Sequence, residues 1–384
     1  MMSIRRAKKI LAVTDYVLTP LHEGGALRLF SLLRGLGELG HQATFLPRTD
    51  HFPHQDGSLE EAVAYLRSQG IEVPGGPEPE PLRGHLERAG GEYDAVILSG
   101  AYAAQYCFQS VRRLAPQAAL IYDTVDLHHR RLFREAKLSG SLFHLRQALA
   151  MKKSELLCAS HADLTLAVTE EEREFLAREC PGARIFLLSN VHEVHRRAGD
   201  ARPGKDILFL GAFHHPPNLD AVFYFLDEIF PLIVPRLPAA RLQVVGSNPP
   251  PELLARGSER ILIRGFVPDL GEAMAGSRLS VAPLRFGAGV KGKILASMGY
   301  GVPVVATSTA IEGMELRPGE NILSAAGPEA FALQVEKLAR DESLWKSLSA
   351  AGQDWVERNY SPAAARDRLC QMLGECETPK EARS

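Results

Sequence analysis

The stretch Arg285-Phe-Gly-Ala-Gly-Val-Lys-Gly-Lys-Ile-Leu-Ala-Ser-Met-Gly-Tyr-Gly-Val-Pro-Val-Val-Ala-Thr307 indicates how the second half of this 384-residue chain folds. The apolar run 279–284 just before it predicts a β-strand. Apolar residues at helical spacing within 294–298 predict a helix, which Gly301 is well suited to end. The β-branched run 302–305 then predicts a second strand. The order is therefore strand, glycine loop, helix and strand.

Two lysines, Lys291 and Lys293, fall in the first turn of this predicted helix. Free backbone N–H groups and the positive end of the helix dipole would meet two ammonium groups there. Cations at that end oppose the dipole, which favours the presence of an anionic partner. The sequence therefore predicts a site for a phosphate-bearing ligand at the start of this helix.

Three phosphate-binding patterns compete for this loop. Gly287, Gly289 and Gly292 match the dinucleotide fingerprint G-x-G-x-x-G, but no acidic residue stands at the tip of the next strand to hold a ribose. A P-loop needs a hydroxyl residue after Lys293, where this chain has Ile294. A nucleotide-sugar diphosphate site needs neither feature. The alternative without a ligand is a tight turn with solvated lysines.

The composition is ordinary for a soluble globular protein, with 45% hydrophobic and 23% charged residues and a formal net charge of −2. This balance gives no indication of nucleic-acid binding. Five widely spaced cysteines without a C-x-x-C pair argue against a zinc knuckle or a disulfide framework. The sequence shows no signal-peptide pattern and no apolar stretch of about 18 residues, so we expect a cytoplasmic protein without a membrane-spanning segment.

Strands and helices alternate along the chain, which predicts an α/β protein with two Rossmann-like, doubly wound parallel-sheet domains. The first is predicted over residues 1–195 and the second over 205–360. Residues 196–204 lack an apolar pattern and read as a linker, and 361–384 as a C-terminal helix and tail. Because open α/β sheets bind ligands beyond the carboxyl ends of their strands, we expect the two domains to face each other across a ligand-binding cleft.

Four parts of the chain resemble the retaining glycosyltransferases of family 4, which have the GT-B fold. They are residues 24–28 with the helix after them and Gly40-His41, residues 122–128, residues 211–218 with 265–267, and residues 283–313. The resemblance implies an enzyme of the kind used in polysaccharide biosynthesis. It would move a hexose-like sugar, with retention of configuration, from a nucleotide-diphosphate donor to an unknown acceptor. It also implies that the first domain binds the acceptor and the second the donor, without a metal or other cofactor.

The resemblance assigns roles to individual residues. Lys291, supported by Arg285 and Lys293, would stabilise the diphosphate leaving group in place of a metal. Residues 265–267 would flank the base, and glycines 24 and 25 would let the backbone approach the diphosphate or the acceptor. The predicted donor-binding residues are Gly24, Gly25, His214, Asn218, Gly265, Phe266, Val267, Arg285, Gly287, Ala288, Gly289, Val290, Lys291 and Lys293.

The chain departs from the family pattern at several positions. Ala288 and Ala296 stand where many members have glutamates, the second of which grips the donor ribose. A carboxylate–hydroxyl bond contributes roughly 1.5–3 kcal/mol. Its loss predicts donor binding weaker by about tenfold to a hundredfold, or a member that has lost activity. Asp126 matches a catalytic-region aspartate, but Val125 replaces the histidine before it, so the predicted catalytic residues are Asp126 and His128.

Histidine pairs occur at 128–129 and at 214–215, the second pair where many members have a basic residue after the first strand of the second domain. Neither pair has a carboxylate or cysteine at a ligand-like spacing on the same element, so no metal site is predicted. Two further functions fit the pattern: a nucleotide-sugar epimerase on the same fold, and a degenerate nucleotide-sugar binder or scaffold subunit. A dehydrogenase fits only the glycine fingerprint.

Residues 130–153 carry seven basic residues and one acid, interleaved with leucines and phenylalanines. A basic amphipathic segment of this kind is able to lie on anionic lipid. It would place the protein at the inner membrane face and would suit a lipid-linked acceptor rather than a free saccharide. The alternative is a helical pair packed on the first domain with a solvated basic face.

Overall fold

The computed structural model describes residues 6–19, 24–49, 58–196, 204–287 and 289–376. These residues form two compact units, and each unit contains a six-stranded parallel sheet. The first unit draws on residues 6–19, 25–191 and 365–376, and the second on Gly24 and residues 192–364. Most of the predicted linker, residues 197–203, and the end of the predicted tail, residues 377–384, lie outside the described residues.

The first unit follows the predicted alternation of strands and helices. Its elements are β1 (Lys9–Thr14), α1 (Gly24–Glu38), β2 (Gln42–Pro47), α2 (Leu59–Ser68), α3 (Leu82–Ala89), β3 (Ala95–Ser99), α4 (Ala101–Leu114), β4 (Ala119–Asp123), α5 (His128–Ser139), α6 (Leu142–His161), β5 (Leu164–Ala167), α7 (Glu170–Glu179) and β6 (Ile185–Leu187). The strands lie in the order β2-β1-β3-β4-β5-β6. The chain therefore changes direction across the sheet between β1 and β3.

The second unit repeats this architecture. Its elements are β7 (Asp206–Leu210), α8 (Pro216–Tyr224), a π-helical turn (Phe225–Ile229), α9 (Phe230–Arg236), β8 (Leu242–Val245), α10 (Pro251–Leu254), β9 (Ile261–Gly265), α11 (Leu270–Gly276), β10 (Ser277–Ala282), α12 (Gly292–Gly299), β11 (Val304–Ala306), α13 (Ser308–Ile311), β12 (Leu323–Ser324), α14 (Pro328–Arg340) and α15 (Glu342–Tyr360). The strand order is β12-β11-β10-β7-β8-β9, so the direction changes between β7 and β10.

Buried apolar strands form the centre of each sheet, as expected for parallel strands with helices on both faces. Residues 10–13 of β1 are fully buried, and Phe209 of β7 lies in a core that includes Phe225 and Phe331. The predicted fold class, two Rossmann-like parallel α/β sheets, is confirmed. None of the helices among the described residues is long and apolar enough to cross a membrane.

The last helix, α16 (Pro362–Cys376), packs on the first unit, although α15 just before it belongs to the second. Arg366 forms an ion pair with Glu38 of α1 at 2.8 Å. Leu369 lies so close to α1 that a Cβ added to Gly35 would come within 2.8 Å of its side chain. The chain therefore returns to its N-terminal unit at its C-terminal end.

Candidate functional site

The predicted phosphate site lies at the carboxyl end of the second sheet, where two neighbouring strands are followed by loops. Residues 283–291 lead from β10 into α12, and residues 211–215 lead from β7 into α8. Since β7 and β10 are paired and the strand order reverses between them, these loops leave the sheet at its topological switch point. Open α/β sheets bind their ligands at such points.

Lys293 and Asn218 join the two loops. The Nζ atom of Lys293 donates to Oδ1 of Asn218 at 2.6 Å, and Nδ2 of Asn218 donates to the carbonyl of Ala212 at 2.9 Å. Burial, with the nearby positive charge of Lys291, lowers the pKa of Lys293 to about 7. Lys293 is therefore charged below about pH 7 and loses its charge as the pH rises through that value, unless a bound anion holds the proton.

Lys291 is the N-cap residue of α12, and its side chain turns back over the loop that precedes it. It is 8% exposed, and its Nζ donates to the carbonyl of Gly289 at 2.6 Å. The loop depends on glycine, since Gly287 has φ 155° and Gly289 has φ 62°. A Cβ on Gly287 would lie 3.2 Å from Cε of Lys291. The predicted residue Ala288 lies outside the described residues, and Val290 packs against the core.

Arg285 is already engaged by a carboxylate. Its Nε donates to Oδ2 of Asp220 at 2.9 Å and its Nη2 to Oδ1, and its guanidinium lies 5.0 Å from the ring centroid of Tyr224. The hydrogen bond to Asp220 raises the pKa of Arg285. The pair ties the loop after β10 to α8. A contact of Arg285 with a diphosphate, which stays a prediction, would compete with this ion pair.

The residues predicted to flank the base follow β9. Gly265 ends that strand with φ 64°, and Phe266 and Val267 come next, both partly buried. Val267 packs in the same apolar cluster as Ala296 of α12 and Tyr300. Position 296, where the resembled family has its ribose-binding glutamate, thus lies in apolar surroundings in this chain.

Histidines 214 and 215 end the loop after β7, with ring centroids 6.1 Å apart and both residues exposed. No group of three or more His, Cys, Asp or Glu side chains within the described part of the chain is arranged to hold a metal ion.

In the first unit, a strained turn carries the predicted catalytic residues. Val125 follows β4 with φ 62°, and the N–H of Asp126 donates to the carbonyl of Thr124 at 2.7 Å, which is the bonding pattern of a γ-turn. Such a φ is rare for a β-branched residue and persists only where the surroundings enforce it.

Asp126 and His128 lie side by side beyond this turn. Oδ1 of Asp126 and Nδ1 of His128 are 3.5 Å apart, and both atoms are buried without a hydrogen-bond partner among the described residues. Unsatisfied buried polar atoms are uncommon in folded proteins and call for a partner. The arrangement would suit a ligand hydroxyl.

The first residues of α1, Gly24 and Gly25, belong to the other predicted loop. A Cβ on Gly25 would lie 3.2 Å from Cγ1 of Val125. Gly25 therefore allows α1 to approach the strained turn closely, a packing role that the sequence did not indicate. The structure brings together Gly25 and the turn that carries Asp126.

Sequence reasoning missed a buried ion pair behind these residues. Arg28 of α1 and Asp123 at the end of β4 are paired at 2.8 Å, with both side chains 0% exposed. Oδ2 of Asp123 also accepts a hydrogen bond from Ser99 at the end of β3, at 2.8 Å. The pair joins α1 to the ends of two strands. The sequence contained a sign of this pair, because Arg28 lies in segment 24–28 and Asp123 in segment 122–128, two of the segments that carry the family resemblance.

Two buried glutamates beside the turn were also missed. Glu155 of α6 accepts from the backbone N–H of His128 at 2.8 Å and from Nδ1 of His129 at 2.6 Å, so it caps α5 and holds His129. Glu172 accepts from the N–H of Leu127 at 3.3 Å. Burial, together with the charge of Asp126, raises the pKa of Glu172 to about 7. Nothing in the sequence indicated these contacts, because each glutamate lies on a helix far along the chain.

His192 is a further unpredicted neighbour of the phosphate site. A Cβ on Gly292, the first residue of α12, would lie 3.4 Å from Cε1 and Nε2 of His192. Burial lowers the pKa of His192 to about 4, so its imidazole is neutral near pH 7. It adds no charge beside the two lysines.

Comparison with known proteins agrees with this architecture. Residues 204–341 match the family model described as Glycosyl transferases group 1. The chain is 22% identical over 281 residues to an uncharacterized 44.6 kDa protein in the cps region of Klebsiella pneumoniae, a match that covers 70% of this chain and 71% of the relative.

Two solved structures share the fold along almost the whole chain. Anabaena Alr3699/HepE, crystallised with UDP-glucose, superimposes with a TM-score of 0.70 at 16% identity, over 96% of this chain and 99% of that one. Sucrose-phosphate synthase from Thermosynechococcus elongatus gives a TM-score of 0.70 at 14% identity, with the same coverage of each chain. The chain therefore has the GT-B fold, and the match to the glycosyl transferases group 1 model lies within its second unit, at residues 204–341.

Proposed function

We propose that this protein is a glycosyltransferase that moves a hexose-like sugar from a nucleoside-diphosphate sugar to an acceptor hydroxyl. The observation that carries the proposal is the position of Lys291 and Lys293 at the start of α12, beside the switch point of the second sheet. That segment falls within the part of the chain that matches the glycosyl transferases group 1 model.

The reaction breaks the bond between the anomeric carbon of the sugar and the diphosphate oxygen. It forms a bond from that carbon to the acceptor oxygen, and the acceptor hydroxyl loses its proton. Negative charge grows on the leaving diphosphate, where the N–H groups of α12 and the ammonium groups of Lys291 and Lys293 would stabilise it. We propose that these fixed charges make a metal unnecessary, and that the configuration is retained, as in the family that the sequence resembles.

Asp126 and His128 are the proposed contacts for the reacting sugar or the acceptor. Within the described part of the chain their two buried atoms, Oδ1 and Nδ1, have no hydrogen-bond partner. Oδ1 of Asp126 would accept a hydrogen bond from a sugar hydroxyl, and Nδ1 of His128 would donate or accept one according to its tautomer. The acceptor is proposed to be a saccharide, free or linked to a lipid. UDP-glucose is the first donor to test, because Alr3699/HepE was crystallised with it.

A ligand panel tests the proposal directly. We expect one class among UDP-, GDP- and ADP-sugars to raise the melting temperature, since a ligand at 100 times its Kd stabilises by about 2.7 kcal/mol. The measurement is made at about pH 6, below the lowered pKa of Lys293, so that most of this lysine is protonated. With a suitable acceptor, released nucleotide should equal the glycoside formed. Conversion of the donor into an epimeric nucleotide sugar, without transfer, would favour an epimerase, and no stabilisation by any donor would contradict the proposal.

Ala296 favours a second candidate, a nucleotide-sugar binder without catalytic activity. Its methyl group lies in an apolar cluster with Val267 and Tyr300, so the ribose-binding carboxylate of the resembled family is absent. A protein with this site would bind the donor more weakly, and could serve as a scaffold subunit rather than an enzyme.

Restoring the carboxylate by Ala296→Glu is expected to increase donor affinity about tenfold to a hundredfold, as one carboxylate–hydroxyl bond contributes roughly 1.5–3 kcal/mol. Isothermal titration calorimetry on the folded variant measures the change. Ala296→Gln is the matched control, because it has nearly the same size without the charge. Equal affinities for the native protein and a folded Ala296→Glu variant would show that the ribose does not lie against α12. A gain in affinity without transfer would support the binder.

A further inference from the structure

The helical hairpin of α5 and α6 exposes large apolar side chains at its tip and along one side of α6. Leu142 is 72% exposed, Phe143 66%, Leu149 55% and Leu157 59%, and Leu138 at the end of α5 is 52% exposed. Contiguous apolar surface of this kind usually marks a contact with a partner or a membrane. The fold of the first unit does not cover it.

The spacing along α6 gathers these residues on one face. One stripe of α6 contains residues spaced three or four apart, namely Leu142, Leu145, Leu149 and Lys153. Arg146 lies on the same stripe, four residues after Leu142 and three before Leu149. The opposite side of the helix contains the buried residues Ala148, Met151, Glu155, Cys158 and Ala159. The hairpin surface consists of Lys137, Leu138, Leu142, Phe143, Leu145, Arg146, Leu149, Lys153 and Leu157.

The charged residues of this surface are all basic. Lys137, Arg146 and Lys153 are exposed, and within the described residues none of them forms an ion pair. Other basic residues of the hairpin are neutralised from outside it, such as Arg130 by Glu171 and Lys152 by Glu179. Among the described residues, the hairpin cations without an ion pair are therefore those that lie among the exposed leucines.

We propose that the hairpin surface docks on a bilayer of anionic phospholipid. The apolar side chains at the tip, Leu142 and Phe143, enter the boundary between headgroups and acyl chains. Lys137, Arg146 and Lys153 contact lipid phosphates. With 20 residues, α6 is about 30 Å long, and it lies along the membrane plane.

The same charges argue against a second copy of this chain as the occupant. A two-fold interface pairs the same patch of both subunits, so it would bring the positive patch of one subunit against the positive patch of the other. Like charges opposed across an interface are unfavourable. An anionic bilayer satisfies the apolar and the basic residues together.

Vesicle co-sedimentation of the full-length protein tests the proposal. We expect binding to vesicles containing phosphatidylglycerol, little binding to pure phosphatidylcholine, and a decrease with added salt. The double variant Leu142→Gln with Phe143→Gln, and the double variant Arg146→Glu with Lys153→Glu, should each bind at least about tenfold more weakly.

The control is Leu254→Gln with Leu333→Gln, which removes two exposed leucines (52% and 48%) from the second unit and should bind like the native protein. Absence of binding to phosphatidylglycerol vesicles, or equal loss in the control and the hairpin variants, would overturn the proposal. A dimer in sedimentation equilibrium that the hairpin variants dissociate and the control does not, together with no vesicle binding by the native chain, would also overturn the proposal.

A second readout avoids dependence on these double substitutions. Phe143→Trp places one indole at the exposed tip, and its emission should shift to shorter wavelength with phosphatidylglycerol vesicles but not with phosphatidylcholine vesicles. The shift is read as a difference from the native protein, which contains Trp345 and Trp355. An unchanged spectrum of the folded variant with both vesicles would show that the tip does not enter the bilayer.

Discussion

Replacing Lys291 by alanine is expected to weaken donor binding by about tenfold to a hundredfold, because a hydrogen bond to a charged group contributes roughly 1.5–3 kcal/mol. The side chain is nearly buried at the N-cap of α12, so its charge is poorly screened by water. Calorimetric titration with the donor found in the ligand panel measures the loss. The turnover number should fall as well, since the charge on the leaving diphosphate grows in the transition state.

Two controls separate the charge of Lys291 from its structural contact. Its Nζ donates to the carbonyl of Gly289, so removal of the side chain also releases the loop. Lys291→Gln keeps a donor at this position without the charge, and should lose most of the same affinity. Lys346→Ala removes an exposed lysine from α15 and should change nothing. Native affinity in a folded Lys291→Ala variant would refute the assignment of the diphosphate site.

Local patterns in the sequence predicted much of the fold. The strand, helix and strand predicted around the glycine loop are present as β10, α12 and β11. Clear chemical signals also mark the starts of later helices. The Asp341 side chain accepts from the N–H of Leu344 to cap α15, and proline begins α16. The helix after β7 likewise starts at Pro216, a proline at the first helical position, and continues through a π-helical turn to Arg236.

The sequence predicted the part of the candidate site that adjacent residues form, but not the contacts with residues far along the chain. Lys291 and Lys293 lie at the start of α12 as expected, because the glycine loop and the helix adjoin them. Their environment depends on residues far away in the chain. Asn218, the partner of Lys293, is 75 residues distant, and Asp220, the partner of Arg285, is 65. Which side chains meet at a switch point depends on strand order, and local sequence patterns do not reveal the order of strands.

Replacing Asp123 by alanine is expected to destabilise the first unit by about 3–5 kcal/mol, the usual effect of leaving a buried charge without its partner. Arg28 is 1% exposed and has a further buried nitrogen, Nη1, without a hydrogen-bond partner among the described residues. Loss of the carboxylate would leave the guanidinium unpaired inside the protein. Ser99→Ala removes one hydrogen bond to the same carboxylate and should destabilise by only about 1 kcal/mol.

The measurement must report on the first unit alone. Both tryptophans, Trp345 and Trp355, lie in α15 of the second unit, so their fluorescence would miss the effect. Hydrogen exchange of peptides from β3 and β4 reports on the ends of the strands that the ion pair joins. Exchange there should become faster in the Asp123→Ala variant, while exchange in β7 and β10 stays close to that of the native protein.

A double substitution distinguishes the charge from the packing around it. Arg28→Met with Asp123→Leu replaces the pair by apolar side chains and should recover most of the lost stability, because buried ion pairs are often no more stabilising than apolar residues of similar volume. If the double variant is as unstable as Asp123→Ala, then the shape of these side chains, rather than the uncompensated charge, holds α1 against the ends of β3 and β4. In that case the close approach of Gly25 to Val125 would depend on the packing of Arg28.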